Sequence, residues 1–242
     1  MRHMAALQLP GMELAIPRRS ILPCTPETTC STLSNYRIQV ERFASAALIV
    51  CRVFTRDHAL MITSSNAKKI LDEADQLFSA SAVAQSVKRM AEDITAALSG
   101  QYPLILTVMG GAVVFTGQLL PLLAFPLSFD YLHVSRYDNK IRGGGINWKI
   151  APPDSVQDRV VLVLDDILDE GITLAAIRER IMRQGAAAFY SAVLAEKDIG
   201  HQKPIRADFV GLTLPNRYAF GFGMDVYGAW RNLPAIYALR DG

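Results

Sequence analysis

The sequence predicts an α/β fold, a parallel sheet with helices on both faces. Three observations lead there. Apolar, β-branched runs recur at 103–108, 160–164, 187–197 and 208–214 without polar alternation, as expected of strands buried on both sides. Helical patterns separate them: in 81-SAVAQSVKRMAEDITAALSG-100, Val83, Val87, Met90, Ile94 and Leu98 recur at three- and four-residue spacing. Glycine or acidic turns close two of the strands, at 109–111 and 165–173, and the carboxyl ends of parallel strands are where such folds gather ligands.

The composition bounds the rest. A chain of 242 residues, 50% hydrophobic and 20% charged, supports one substantial core or a core with an appendage. Its longest apolar stretch, 43-FASAALIVCRVF-54, is too short for a membrane span and has Arg42, Arg52 and Arg56 around it, so a soluble protein without a membrane partner is expected. A net charge of +2 does not point to a nucleic-acid partner. All three cysteines, Cys24, Cys30 and Cys51, fall in the first 60 residues. The remainder, cysteine-free and near −1 in charge, suits a reducing cytoplasm.

Residues 1–60 carry seven arginines, no lysine and four acids, with prolines at 10, 17, 23 and 26 and the patch 25-TPETTCSTLS-34. Four acids weaken a transit-peptide reading, and no apolar region follows a basic start as in a secretory signal. A disordered extension is expected, followed by one domain over 61–242.

Within that domain the elements follow in order. Helices are expected at 66–79 and 81–100, the second with a serine at its start and Gly100 past its end. The segment 103-PLILTVMGGAVVFTGQLLPLL-123 reads as a strand, a Gly-Gly turn and a helix. Strands at 127–137 and 146–152 flank a loop with Gly143, Gly144 and Gly145. The next strand, Val160 to Leu164, ends in Asp165 and Asp166, and the turn 169-DEGIT-173 leads to a helix whose Leu174, Ile177 and Ile181 share a face. Strands at 187–197 and 208–214 complete the pattern.

The segment 160-VVLVLDDILDEGITL-174 combines two demands. Unpaired amides at the helix start, a glycine permitting close approach and the Thr173 hydroxyl make an anion site suited to phosphate. The three acids repel phosphate, so they serve sugar hydroxyls, Mg²⁺ or a proton. The plainer reading makes Asp169 a helix cap and Asp165 and Asp166 solvated strand-end acids.

That acid-acid, two apolar, acid, x, Gly, x, Thr pattern resembles the phosphoribosyl diphosphate signature of the type I phosphoribosyltransferases. With 108-VMGGAVVFTGQLL-120, 136-RY-137, Lys197 and 208-DFVGLTLPNRYAFGFGMDVYGAWRNLPAIYAL-239, residues 62 to 240 are similar to the hypoxanthine-guanine branch of the bacterial kind. The resemblance implies the parallel-sheet type I phosphoribosyltransferase fold with a small hood region. The implied reaction is Mg²⁺-dependent transfer of the phosphoribosyl group from phosphoribosyl diphosphate to a 6-oxopurine, in a homodimer or homotetramer.

It also implies roles. Asp165 and Asp166 bind ribose hydroxyls and magnesium, and Asp169 is the general acid/base at purine N7. Glu170, Gly171, Ile172 and Thr173 hold the 5′-phosphate, while Gly110 and Gly111 face diphosphate beside a cis bond from Met109. Lys197 meets the purine O6, Tyr218 stacks on the base, and Met224 and Asp225 line its edge. Asp225 meets a second magnesium and Arg231 grips diphosphate. The loop 136–148 is the implied lid. Met109, Arg136, Glu170 and Ile172 depart from common residues of the family, so the contacts there rest on backbone. A different reading is a regulatory protein that binds phosphoribosyl diphosphate and nucleic acid, but the core lacks the basic excess that it needs.

The division near residue 60 generates a test. A chain beginning at Met61 is expected to keep the Tm and kcat/KM of the full chain, and brief trypsin treatment of the full chain to trim it between Arg56 and Lys68. Aggregation or loss of activity would make residues 43–54 part of the domain.

Overall fold

The computed structural model describes residues 62–136 and 146–240. The expected extension at 1–60, the start at Met61 and the centre of the expected lid lie outside the described residues.

Six strands form the main sheet: β2 (Leu104–Met109), β3 (Ser128–Arg136), β4 (Ile146–Ile150), β5 (Val160–Leu168), β6 (Ala188–Lys197) and β7 (Phe209–Leu214). Their spatial order is β4-β3-β2-β5-β6-β7, parallel throughout except for the antiparallel edge strand β4. The chain runs outward from β2 to β3 and then returns to place β5 on the other side of β2. The carboxyl ends of β2 and β5 therefore flank the switch point, where neighbouring loops diverge and leave a crevice.

Alternate residues of each strand supply the two faces. Ile105, Leu162, Leu164, Leu194 and Leu212 pack against helices α2 (Ala80–Leu98) and α3 (Val113–Leu119). Leu106, Val161, Val163 and Val193 meet Leu174, Ile177 and Ile181 of α4 (Ile172–Arg183) on the opposite face. The whole expected stripe of α2, Val83, Val87, Met90, Ile94 and Leu98, is buried, and Ser79 caps that helix by accepting from the Ala82 amide at 3.3 Å. Trp148 of β4 lies under the Arg180 guanidinium, 4.8 Å from its ring centre, which ties the edge strand to α4. Among the described residues no helix is long and apolar enough to cross a membrane.

Two expectations are corrected. The helix predicted for 66–79 is α1 (Ser64–Glu73), after which Asp75–Phe78 form strand β1, because tertiary pairing with β9 (Ile236–Ala238) outweighs helical spacing in so short a stretch. With β8 (Ala219–Phe220) these strands make a three-stranded antiparallel sheet, β1-β9-β8, the small hood; its two late strands were too short to read from periodicity. The strand predicted to end at Leu164 continues through Leu168, held by parallel pairing of Asp165 with Val193 and Leu168 with Glu196. The hood is tied at its edge by Asp75, which accepts from Arg217 at 2.7 Å and Arg240 at 3.0 Å. The Arg217 hydrogen bond, above all, holds the Asp75 carboxyl below its usual pKa.

If the α2 stripe holds the core, Ile94→Ala should cost about 2–5 kcal/mol, whereas Lys88→Ala on the exposed side should stay within about 0.5 kcal/mol. Denaturant unfolding measures both; equal costs would refute the assignment of faces.

Candidate active site

β5 delivers its acids into the switch-point crevice. Asp165 points into the protein with 8% of its surface exposed, and its Oδ1 accepts from the Asp166 amide at 3.0 Å. Asp166 Oδ1 accepts from the Ile167 amide at 3.0 Å. Burial raises the pKa of both carboxyls, well above the usual range for Asp165, where the neighbouring Asp166 charge adds to it. For Asp166 the hydrogen bond with Asp165 and the Arg231 charge oppose the rise. Two acids in this condition favour a shared proton or a bound cation.

The turn after β5 settles the alternative for Asp169. The N-cap of α4 is Gly171, in the left-handed conformation at φ 79° and without a side-chain cap, so Asp169 does not cap the helix. The first bond of the helix runs from the Ala175 amide to Gly171 O. The amides of Ile172, Thr173 and Leu174 precede it and lack intrahelical partners, so they turn the positive end of the helix toward the crevice. Glu170 and Ile172 are exposed beside them.

Asp169 instead meets Lys197, whose Nζ lies 3.0 Å from Asp169 Oδ2. The lysine comes from the end of β6 and is 12% exposed, while the aspartate is 46% exposed. One strand-end side chain thus faces the next across a gap set by sheet spacing.

The crevice has two compartments. The larger, about 480 Å³, is lined by Gly110, Gly111, Asp165, Asp166 and the turn 168–174, with Asp225 and Arg231 at its rim and His133, Val134 and Ser135 from β3. The peptide bond between Met109 and Gly110 is cis, as expected. The smaller compartment, about 210 Å³, is lined by Asp166, Ile167, Asp169, Lys197, Tyr218, Ala219, Met224 and Asp225. Asp166, Ile167, Asp169 and Asp225 border both, so a ligand can span the two with its reactive bond between them.

All the predicted site residues line one or both compartments. Four are engaged in ways the sequence did not show. Arg231 donates to Gly223 O at 2.6 Å and to Asp225 Oδ1, while Asp225 Oδ2 accepts from the Gly228 amide at 2.8 Å. Met224 uses its backbone N–H and C=O in a reciprocal bridge with Gly221, so what it offers the smaller compartment is a second carbonyl lone pair and its side chain. Tyr218 is 51% exposed and lies nearly parallel to Tyr227, with ring centres 6.5 Å apart. Among the described residues, no three His, Cys, Asp or Glu side chains converge to form a metal cage.

Sequence reading missed Ile167, which lines both compartments, and Gly223, at φ 106°, where an added Cβ would lie 2.0 Å from Gly111 O. Gly111 is equally restricted, since a Cβ there would fall 1.9 Å from Asp166 Oδ2. The alternating glycines of 221-GFGMD-225 were the available signal for Gly223; an apolar residue between acids gave none for Ile167.

Residues 73–227 match the phosphoribosyl transferase domain model. The chain is 32% identical over 165 residues to the hypoxanthine-guanine phosphoribosyltransferase of Bacillus subtilis, covering 68% of this chain and 92% of that one. It is 28% identical over 174 residues to the hypoxanthine-guanine-xanthine phosphoribosyltransferase of Tritrichomonas foetus, covering 71% and 95%. A mutant of Trypanosoma cruzi hypoxanthine phosphoribosyltransferase, solved as a ternary substrates complex, superposes with a TM-score of 0.65 at 27% identity over 70% of this chain and 97% of that one. Signature, fold and site geometry agree with these matches, and the chain belongs to the phosphoribosyltransferase family.

Proposed function

We propose that this enzyme salvages purines by transferring the 5-phosphoribosyl group of phosphoribosyl diphosphate to hypoxanthine or guanine, yielding IMP or GMP and diphosphate. The observation that carries this reading is the Lys197–Asp169 pair at 3.0 Å on the wall of the smaller compartment. A 6-oxopurine presents an acceptor, O6, and a titratable nitrogen, N7, on one edge. An ammonium beside a carboxylate matches that edge donor to acceptor and acceptor to donor.

In this reading Tyr218 covers one face of the base and Ile167 lies in the same compartment. N9 forms a bond to C1 of the ribose as the bond from C1 to diphosphate breaks, and Asp169 takes up the proton that the base loses. The amides ahead of Ala175 and the Thr173 hydroxyl hold the 5′-phosphate, with the exposed Glu170 contributing backbone only. Gly110 and Gly111 face diphosphate with Arg231, whose guanidinium exchanges Asp225 for phosphate oxygens.

The paired acids fit Mg²⁺, since two neighbouring buried carboxyls present hard oxygen donors to the crevice and such donors suit this cation. When bound, Mg²⁺ offsets the charge of the diphosphate. Asp165 and Asp166 would hold it together with the ribose hydroxyls, and Asp225 a second ion, the remaining ligands coming from substrate and water. The domain spans 61–242, acts in the cytoplasm and assembles as a homodimer or homotetramer. The regulatory alternative gains nothing from the relatives, whose names are those of transferases.

The direct test is a spectrophotometric assay with phosphoribosyl diphosphate, Mg²⁺ and five bases in turn. Turnover only with uracil, or with none, would overturn the reading. Asp169→Asn keeps shape but removes basicity, so kcat should fall roughly 10²-fold or more while the affinity for phosphoribosyl diphosphate changes less. Near-normal turnover would place the base elsewhere. Lys197→Ala should raise KM for hypoxanthine and guanine and narrow their lead over adenine, whose amine cannot accept from an ammonium. Unchanged selectivity would rule out Lys197 as the recognition element.

A further inference from the structure

Lys203 lies in the loop between β6 and β7 and lines neither compartment. Its side chain is nonetheless only 6% exposed. An ammonium has three N–H donors, and three acceptors meet it here: Leu168 O at 3.0 Å, Lys197 O at 2.5 Å and Glu196 Oε1 at 3.1 Å. A buried cation is tolerated only when paired and hydrogen-bonded in this way, so it holds its partners in one arrangement.

The partners give the arrangement its meaning. Leu168 immediately precedes Asp169, and the last β5–β6 pair is Leu168 with Glu196. The pairing stops there, with Asp169 just past the end of β5 and Lys197 the last residue of β6. The ammonium of Lys203 joins the two strand ends through both main chains. Its neighbours extend the brace: Lys203 Cβ, Pro204 Cδ and Ile205 Cγ2 each stand 3.4 Å from the point where a side chain would begin on Gly171.

We propose that Lys203 is a positioning residue for base recognition, fixing the ends of β5 and β6 so that Lys197 and Asp169 face one purine edge together. It rests on the base-transfer reading above and adds to it a residue that touches no substrate. A purely structural lysine would change the Tm but not the preference for one purine over another.

The experiment uses the full chain and begins with the wild type, for which absence of turnover with hypoxanthine would refute the transferase reading rather than the role of Lys203. In Lys203→Met, which keeps the apolar stem without donors, KM for hypoxanthine should rise about tenfold or more. The inhibition constant of unsubstituted purine, which keeps N7 but lacks O6, should rise several-fold less, because it can lose only the contact to Asp169 and not the one to Lys197. Lys203→Cys alkylated with 2-bromoethylamine rebuilds an ammonium at lysine length and should restore the hypoxanthine KM, with identically treated wild type as control. If Lys203→Met does not fold, Lys203→Arg keeps charge and donors and is compared in the same way. Equal changes for hypoxanthine and purine, no change for either, or failure of both variants to fold would overturn the proposal.

Discussion

Two carboxylic acids side by side at the end of a strand buried on both faces constrain everything around the crevice. Asp165 and Asp166 resist carrying charge together there, because burial disfavours both charges and the Asp166 charge raises the pKa of Asp165 further. The surrounding residues ease that constraint. Gly111 leaves room for the Asp166 carboxylate, Gly223 lets a second loop close against Gly111, and Arg231 brings a positive charge near. The turn that follows presents amides rather than side chains, so it can receive an anion a few residues from two acids. A site of opposite charges is thereby built from one continuous stretch of chain, with the helix start and the strand end as its two poles.

Four charged side chains of the crevice are paired with one another. Lys197 holds Asp169, and Arg231 holds Asp225. Neither pair is so deeply buried that it is locked, and partly exposed pairs of this kind are worth little in net stability. A ligand that offers each member a better partner can part them at small cost. One that satisfies only half of a pair strands a charge in a half-closed compartment, and such stranding discriminates more sharply than attraction does.

The sequence made the sheet and the acids legible because the signals were local. Val160 to Leu164 could only be a buried strand, and the spacing of Asp165, Asp166, Asp169, Gly171 and Thr173 is confined to nine residues. The stripe on α2 was legible for the same reason. What depended on partners distant in sequence was not. Asp75–Phe78 follows a helix without a break in pattern, and only its pairing with residues 236–238 makes it a strand. The continuation of β5 through Leu168 is likewise a property of β6, not of its own composition. Lys203 looked like any loop lysine; its three acceptors are backbone and side-chain groups that the fold brings together. The Arg231–Asp225 bond escaped notice because family resemblance gave each residue a ligand, whereas the fold brings the two side chains to each other.

The small sheet joins the two ends of the described domain: β1 pairs with β9, Arg217 reaches back to Asp75, and Trp230 Nε1 donates to Ala67 O at 2.7 Å. By contrast, the strands of the main sheet mostly neighbour strands close in sequence. Closing the longer loop costs more entropy and waits for more chain. Weakening the small sheet would therefore loosen Tyr218 and Ala219, on the wall of the smaller compartment, while Asp165, Asp166 and the start of α4 keep their places.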